Sequence, residues 1–129
     1  MKEKILIVDD EDLLRELADT VLSKKGYERK TASNGQEALV LIEDGFKPDL
    51  VITDMIMPVL NGLGLANQLR LKEITVPIIF VSGDLGSYTL TDLQQFSHYF
   101  LGKPFEILSL INIVAEVLEK TKSQQAVVA

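Results

Sequence analysis

The sequence predicts a doubly wound α/β domain, with five βα units building a five-stranded parallel sheet that carries helices on both faces. Two observations predict it. Apolar runs of strand length at residues 5–8, 50–53 and 78–81 alternate with longer segments of helical period. Those runs are continuous rather than alternating in polarity, as in strands buried on both sides. Strand–helix alternation then implies parallel pairing with right-handed crossovers.

Ile5-Leu6-Ile7-Val8 is the first strand. Leu13, Leu14, Leu17, Ala18, Val21 and Leu22 then recur at helical spacing, and Gly26 marks the stop. Residues 27–32 are mixed and polar, which suits an edge strand. Asn34 caps a second helix, with Glu37 completing a capping-box pattern and Gly45 ending it. Leu50-Val51-Ile52-Thr53 is the third strand, and Pro58, Asn61 and Gly62 form a loop before a helix at residues 63–70. The fourth strand is Ile78-Ile79-Phe80-Val81. Poor helix formers follow, so the fourth helix is read as short and weak, over residues 88–96. Tyr99-Phe100-Leu101 is the fifth strand. The last helix spans residues 105–118, with Ile107, Leu108, Ile111, Val114, Ala115 and Leu118 inward. Residues 1–120 are expected as the domain and 121–129 as a flexible tail.

The 129 residues suit one domain, and 47% hydrophobic with 25% charged is ordinary globular usage. The absence of cysteine excludes disulfides and thiolate chemistry, and fits a cytoplasmic location. No apolar run approaches the roughly 20 residues of a membrane span, and no signal-peptide core follows Met1. A net charge of −6 disfavours direct contact with nucleic acid and suits cations or a basic partner surface.

In open parallel sheets, chemistry collects where loops leave the C-terminal ends of strands. Asp9, Asp10, Glu11 and Asp12 follow the first strand, Asp54 the third, Ser82 the fourth, and Lys103 with Pro104 the fifth. Neighbouring strands lie about 4.8 Å apart, so Asp9, Asp10 and Asp54 converge if strands 1 and 3 are adjacent. Carboxylates so close either take up protons or hold a cation. Hard oxygen ligands at an open site suit Mg²⁺, with Mn²⁺ a second possibility. Mg²⁺ and a lysine together neutralise phosphoryl oxygens during transfer, and a carboxylate can be the nucleophile.

These residues resemble the response regulator receiver domains of two-component systems. The resemblance rests on Ile5-Leu6-Ile7-Val8-Asp9-Asp10-Glu11, on Asp54-Met55-Ile56-Met57-Pro58 with Asn61-Gly62, on Val81-Ser82-Gly83 and on Lys103-Pro104-Phe105. It covers residues 4–119 and implies a flavodoxin-like (βα)5 fold with strand order 2-1-3-4-5. It implies that Asp9 and Asp10 hold Mg²⁺, with Asp54 and the backbone carbonyl of Ile56 completing the protein ligands. Asp54 is then the phosphoacceptor and Lys103 its cationic partner. Ser82 is the hydroxyl that moves toward the phosphoryl group, and Phe100 the rotameric aromatic. The Lys103–Pro104 bond is expected to be cis. The implied partners are a sensor histidine kinase or phosphotransfer protein, then an effector or a second copy. The latter would bind through the fourth helix, fifth strand and last helix. Such a domain is a signalling switch rather than an enzyme.

Two features depart from the family pattern. Gln94-Gln95-Phe96-Ser97-His98 has no glycine where a glycine-containing turn is usual, and Phe100 lacks a tyrosine hydroxyl.

Plainer readings exist beside these. Asp12 reads as a helix-capping acid, Phe100 as core, and His98 as a surface residue. Met55 and Met57 shield the site or simply pack. A flavin-binding flavodoxin-like protein would need a Ser/Thr/Gly-rich phosphate loop where this chain has four acids. A metal-dependent phosphohydrolase would place an Asp-x-Asp pattern after the first strand. A receiver-like interaction module that works without phosphorylation would be expected to lose an acid or the lysine, and all are kept.

Overall fold

Residues 4–8 form an inner strand of a five-stranded sheet. The computed structural model describes residues 2–83, 85–86 and 88–128, with side chains as far as residue 123. The elements are β1 (Lys4–Val8), α1 (Asp12–Lys24), β2 (Glu28–Ala32), α2 (Gly35–Glu43), β3 (Leu50–Asp54), α3 (Gly62–Leu71), β4 (Ile78–Ser82), α4 (Leu90–Gln94), β5 (Tyr99–Gly102) and α5 (Ile107–Val128). All strand pairs are parallel, in the order β2-β1-β3-β4-β5. This is the expected flavodoxin-like arrangement.

Alternation along each strand divides the apolar residues between two cores. Leu6, Val8, Val51 and Phe80 join Ala38, Leu39, Leu65, Leu69 and Leu93 from α2, α3 and α4. Ile5, Ile7, Ile52, Ile79 and Val81 join Ala18 and Leu22 of α1 with Leu110, Val114, Val117 and Leu118 of α5. Both faces of the sheet are therefore covered, which is why β1, β3 and β4 read as unbroken apolar runs. The same register brings the C-terminal ends of β1, β3, β4 and β5 level: Val8 pairs with Thr53, Asp54 with Val81, and Ser82 with Gly102.

The helix stops lie close to where the sequence places them. Gly26, at φ +90°, donates to the Ser23 carbonyl just past α1. Asn34 caps α2 by accepting from the Glu37 N–H. The Glu37 carboxylate reaches back to the N–H and hydroxyl of Ser33, one residue before the expected partner.

Two expectations are corrected. In α5, Ile107 and Leu108 lie outward, 46% and 62% exposed, and Ala115 is exposed as well. The inward stripe is Leu110, Val114, Val117 and Leu118. Two apolar stripes run along this helix, and the one carrying Leu110 meets β1, β3 and β4. The backbone of α5 is helical as far as Val128. Lys122 on this helix pairs with Glu3 at 3.2 Å.

The fourth helix is only five residues long rather than spanning 88–96. Thr89 and Asp92 form a capping box that starts it. Beyond its end, the buried Ser97 hydroxyl donates to the Ile78 carbonyl and accepts from the Tyr99 N–H at 3.0 Å. The Arg70 guanidinium donates to the Gln95 carbonyl and lies 4.1 Å from the centre of the Phe96 ring. These contacts fasten a turn that has no glycine.

Candidate functional site

The end of β1 hands the chain to Asp9, which is buried and whose N–H still bonds the Ala32 carbonyl of β2. Its carboxylate accepts the Glu11 N–H at 2.9 Å. The Arg15 guanidinium, one turn into α1, donates to the Asp9 carbonyl at 2.8 Å and pairs with Asp12 at 2.7 Å. The acidic loop is thereby held against the helix that follows it.

Asp54 is the last residue of β3 and equally buried. Its Oδ1 accepts the Met55 N–H at 2.8 Å, which turns Oδ2 toward Lys103. Gly62 permits this geometry. A Cβ there would lie 2.4 Å from the Asp54 carbonyl oxygen and 3.2 Å from the Met55 Cα. The start of α3 therefore lies directly on the backbone that carries Asp54. Gly62→Ala is expected to cost about 2 kcal/mol or more, since backbone must shift to admit the methyl. Urea unfolding of the variant checks this, and an unchanged midpoint would contradict it.

Lys103 follows β5 and its N–H bonds the Ser82 carbonyl at 3.0 Å. The Lys103–Pro104 bond is cis, as the resemblance implies. Lys103 Nζ lies 3.1 Å from Asp54, 3.3 Å from Asp9 and 2.9 Å from Glu11. Burial alone would lower the pKa of this ammonium. The hydrogen bonds to Glu11 and Asp54, with the charges of Asp9 and Asp54, outweigh that and raise it. Asp9 and Asp54 are raised by burial, which Lys103 only partly offsets.

Carboxylate oxygens of Asp9, Glu11 and Asp54 lie within 4.8 Å of one another. Asp10, expected in this group, is exposed, and Glu11 stands in the cluster instead. Sequence reading gives Glu11 no role of its own, although it is an acid of the same loop. Three hard oxygen donors facing an open edge fit a small divalent cation. Ile56 lies in the loop beyond Asp54, its side chain 46% exposed. Met55 and Met57 are buried in the core on the α3 side.

Ser82 ends β4 half-buried. Phe100 is half-buried on β5 and stacks on Phe80, ring centres 6.2 Å apart. Ser82 and Phe100 line an open cavity of about 270 Å³ together with Leu85, Leu90 and Leu93. His98 is exposed. Among the described residues, no helix is long and apolar enough to cross a membrane.

Comparison with known proteins agrees with the fold. Residues 5–115 match the response regulator receiver domain. A probable transcriptional regulator, ycf27 of Porphyra purpurea, is 41% identical over 121 residues, which are 92% of this chain and 49% of that protein. The receiver domain of the Francisella response regulator 1452 superposes with a TM-score of 0.82 at 30% identity, covering 93% of this chain and 99% of that one. The chemotaxis response regulator CheY4 of Vibrio cholerae gives 0.82 at 27% identity, covering 91% and 99%. The fold and the site define a signalling switch of the two-component class. This chain belongs to the response regulator receiver domain family. It spans about half the length of the ycf27 relatives.

Proposed function

We propose that this domain takes a phosphoryl group onto Asp54 in the presence of Mg²⁺ and passes the change to a partner-binding surface. The observation that carries the reading is the meeting of Lys103 with the Asp9 and Asp54 carboxylates, 3.3 and 3.1 Å away, at one strand edge. The Asp54 Oδ2 atom forms the new bond to phosphorus as the bond to the donor breaks. On a phosphohistidine donor the electron pair returns to the ring nitrogen, which takes a proton. The Met55 N–H fixes Oδ1 and so aims the nucleophile. The Lys103 ammonium neutralises a phosphoryl oxygen as charge develops there. Asp9, Asp54 and the Ile56 carbonyl, with Asp10 turning in from its exposed position, would hold Mg²⁺; the ion, when bound, offsets the negative charge of the phosphoryl oxygens. The donor is a sensor histidine kinase or phosphotransfer protein. The setting is the cytoplasm.

Readout runs through Ser82. Its hydroxyl moving toward the phosphoryl group leaves room that the Phe100 ring fills from its place against Phe80, and the 270 Å³ cavity that they line supplies the space. A two-position ring gives the switch its bistable element. Residues 83–97 have low helix propensity and a helix of only five residues, which suits a moving element. The α4-β5-α5 face then meets an effector or a second copy, with Leu90 at 52% and Leu108 at 62% exposure offering apolar contacts.

Beryllofluoride with Mg²⁺, a phosphoryl mimic, is expected to change amide-exchange protection across residues 83–97 more than in α1 or β2. Equal exchange with and without the mimic would leave Phe100 as ordinary core.

A further inference from the structure

Resting on the phosphoacceptor reading, we infer that Glu11 is a displaceable counter-anion that occupies the phosphoryl group's seat on Lys103 until a phosphoryl group arrives.

An ammonium has three N–H donors. On Lys103 they face three carboxylates: Glu11 at 2.9 Å, Asp54 at 3.1 Å and Asp9 at 3.3 Å. Asp54 Oδ2, once bonded to phosphorus, yields its own N–H to one phosphoryl oxygen; a second phosphoryl oxygen at the ammonium must take an N–H from Asp9 or Glu11. The carboxylates that remain differ sharply in what release costs. The side chains of Asp9 and Asp54 are 10% exposed, and each carboxylate is also tied to a backbone N–H. Freed from Lys103, Asp9 would remain a buried charge without its cation, which is expensive. The Glu11 side chain is 58% exposed and carries its carboxylate on a longer arm. It can swing into water, where hydration replaces the lost ion pair.

Glu11 also has the shortest contact to Lys103 of the three. It therefore holds the ammonium at the mouth of the site in the resting state and screens its charge from other anions. The function of Lys103 is not altered by this, but its availability is. Glu11 is thus a positioning residue, acting on the reaction only through Lys103.

A direct role in holding the cation is the competing assignment, because the Glu11 carboxylate lies within 4.8 Å of those of Asp9 and Asp54. The two assignments predict opposite results at saturating Mg²⁺. A ligand that is lost weakens every later binding step. A competitor that is lost strengthens the binding of the phosphoryl mimic.

The test uses the intact chain with Glu11→Ala and Glu11→Gln. Mg²⁺ is titrated alone first, and then beryllofluoride is titrated at saturating Mg²⁺. Both variants are expected to bind the mimic roughly threefold tighter than the parent or better, the scale of one exposed ion pair. Mg²⁺ affinity should fall by no more than about threefold, from loss of a nearby charge, and the thermal midpoint should hold. In the parent protein, the Glu11 δ-carbon signal should move toward the value of a free glutamate when the mimic binds, while Lys103 signals shift in the same step. Unchanged or weaker mimic binding in the variants, or a collapse of Mg²⁺ affinity, would overturn the inference and leave the phosphoacceptor reading standing. A parent protein that binds no mimic at all would remove both.

Discussion

Replacing Asp54 by asparagine is expected to abolish phosphoryl uptake entirely while raising the stability of the metal-free fold. Loss of uptake follows because the amide cannot act as the nucleophile and Asp54 is the one acid that ends β3. The stability gain has a separate cause. Burial raises the Asp54 pKa in spite of Lys103, so ionising this group costs the folded state free energy. That cost is absent at pH values below about 3.9, where the carboxyl is protonated folded or unfolded. It grows as pH rises from that value toward the raised pKa and levels off above it. The asparagine variant should therefore unfold at a higher temperature near pH 7, by about 3 °C for each kcal/mol recovered. The difference should vanish in acid. Thermal unfolding from pH 3 to pH 8 without metal reads the effect, and a variant less stable at neutral pH would contradict the assignment of burial as the dominant influence.

Lys103→Ala is expected to have the opposite effect on stability. It leaves Asp9 and Asp54 facing each other, buried and without their cation. Removing one partner of a buried ionic cluster costs about 3 kcal/mol or more. The loss should be largest at neutral pH in chelator, smaller in acid as the carboxyls take up protons, and smaller again with Mg²⁺. Affinity for Mg²⁺ should be kept or increased, because a competing cation has gone. Response to beryllofluoride should be impaired, because the mimic loses its ammonium. Urea unfolding with and without Mg²⁺, beside a Mg²⁺ titration, separates these effects. A fall in Mg²⁺ affinity would show that the lysine serves only to organise the acidic pocket.

The element order and the location of the site could be read from the sequence for one physical reason. A parallel sheet buried on both faces writes its strands as unbroken apolar runs, and polar residues at the ends of those runs can only face the loop edge. Asp9, Asp54, Ser82 and Lys103 each follow such a run. What could not be read is where two local solutions compete. Helix α5 carries apolar residues on two stripes, so the inward choice of Leu110 and Val117 over Ile107 and Leu108 is decided by tertiary packing. The fourth helix is shortened by contacts distant in sequence, Ser97 with Ile78 and Arg70 with Phe96. Among four consecutive acids, only geometry tells which turn inward: Glu11 reaches Lys103, while Asp10 faces solvent.

The central claim is that Asp54 is a Mg²⁺-dependent phosphoacceptor, and intact-protein mass measurement after incubation with acetyl phosphate tests it most directly. The expected result is one added phosphoryl group with Mg²⁺ and none in chelator. The adduct should be removed by hydroxylamine, as an acyl phosphate is, and should be absent from Asp54→Asn. A parent protein that takes up nothing, or an asparagine variant that keeps the full adduct, would contradict the account.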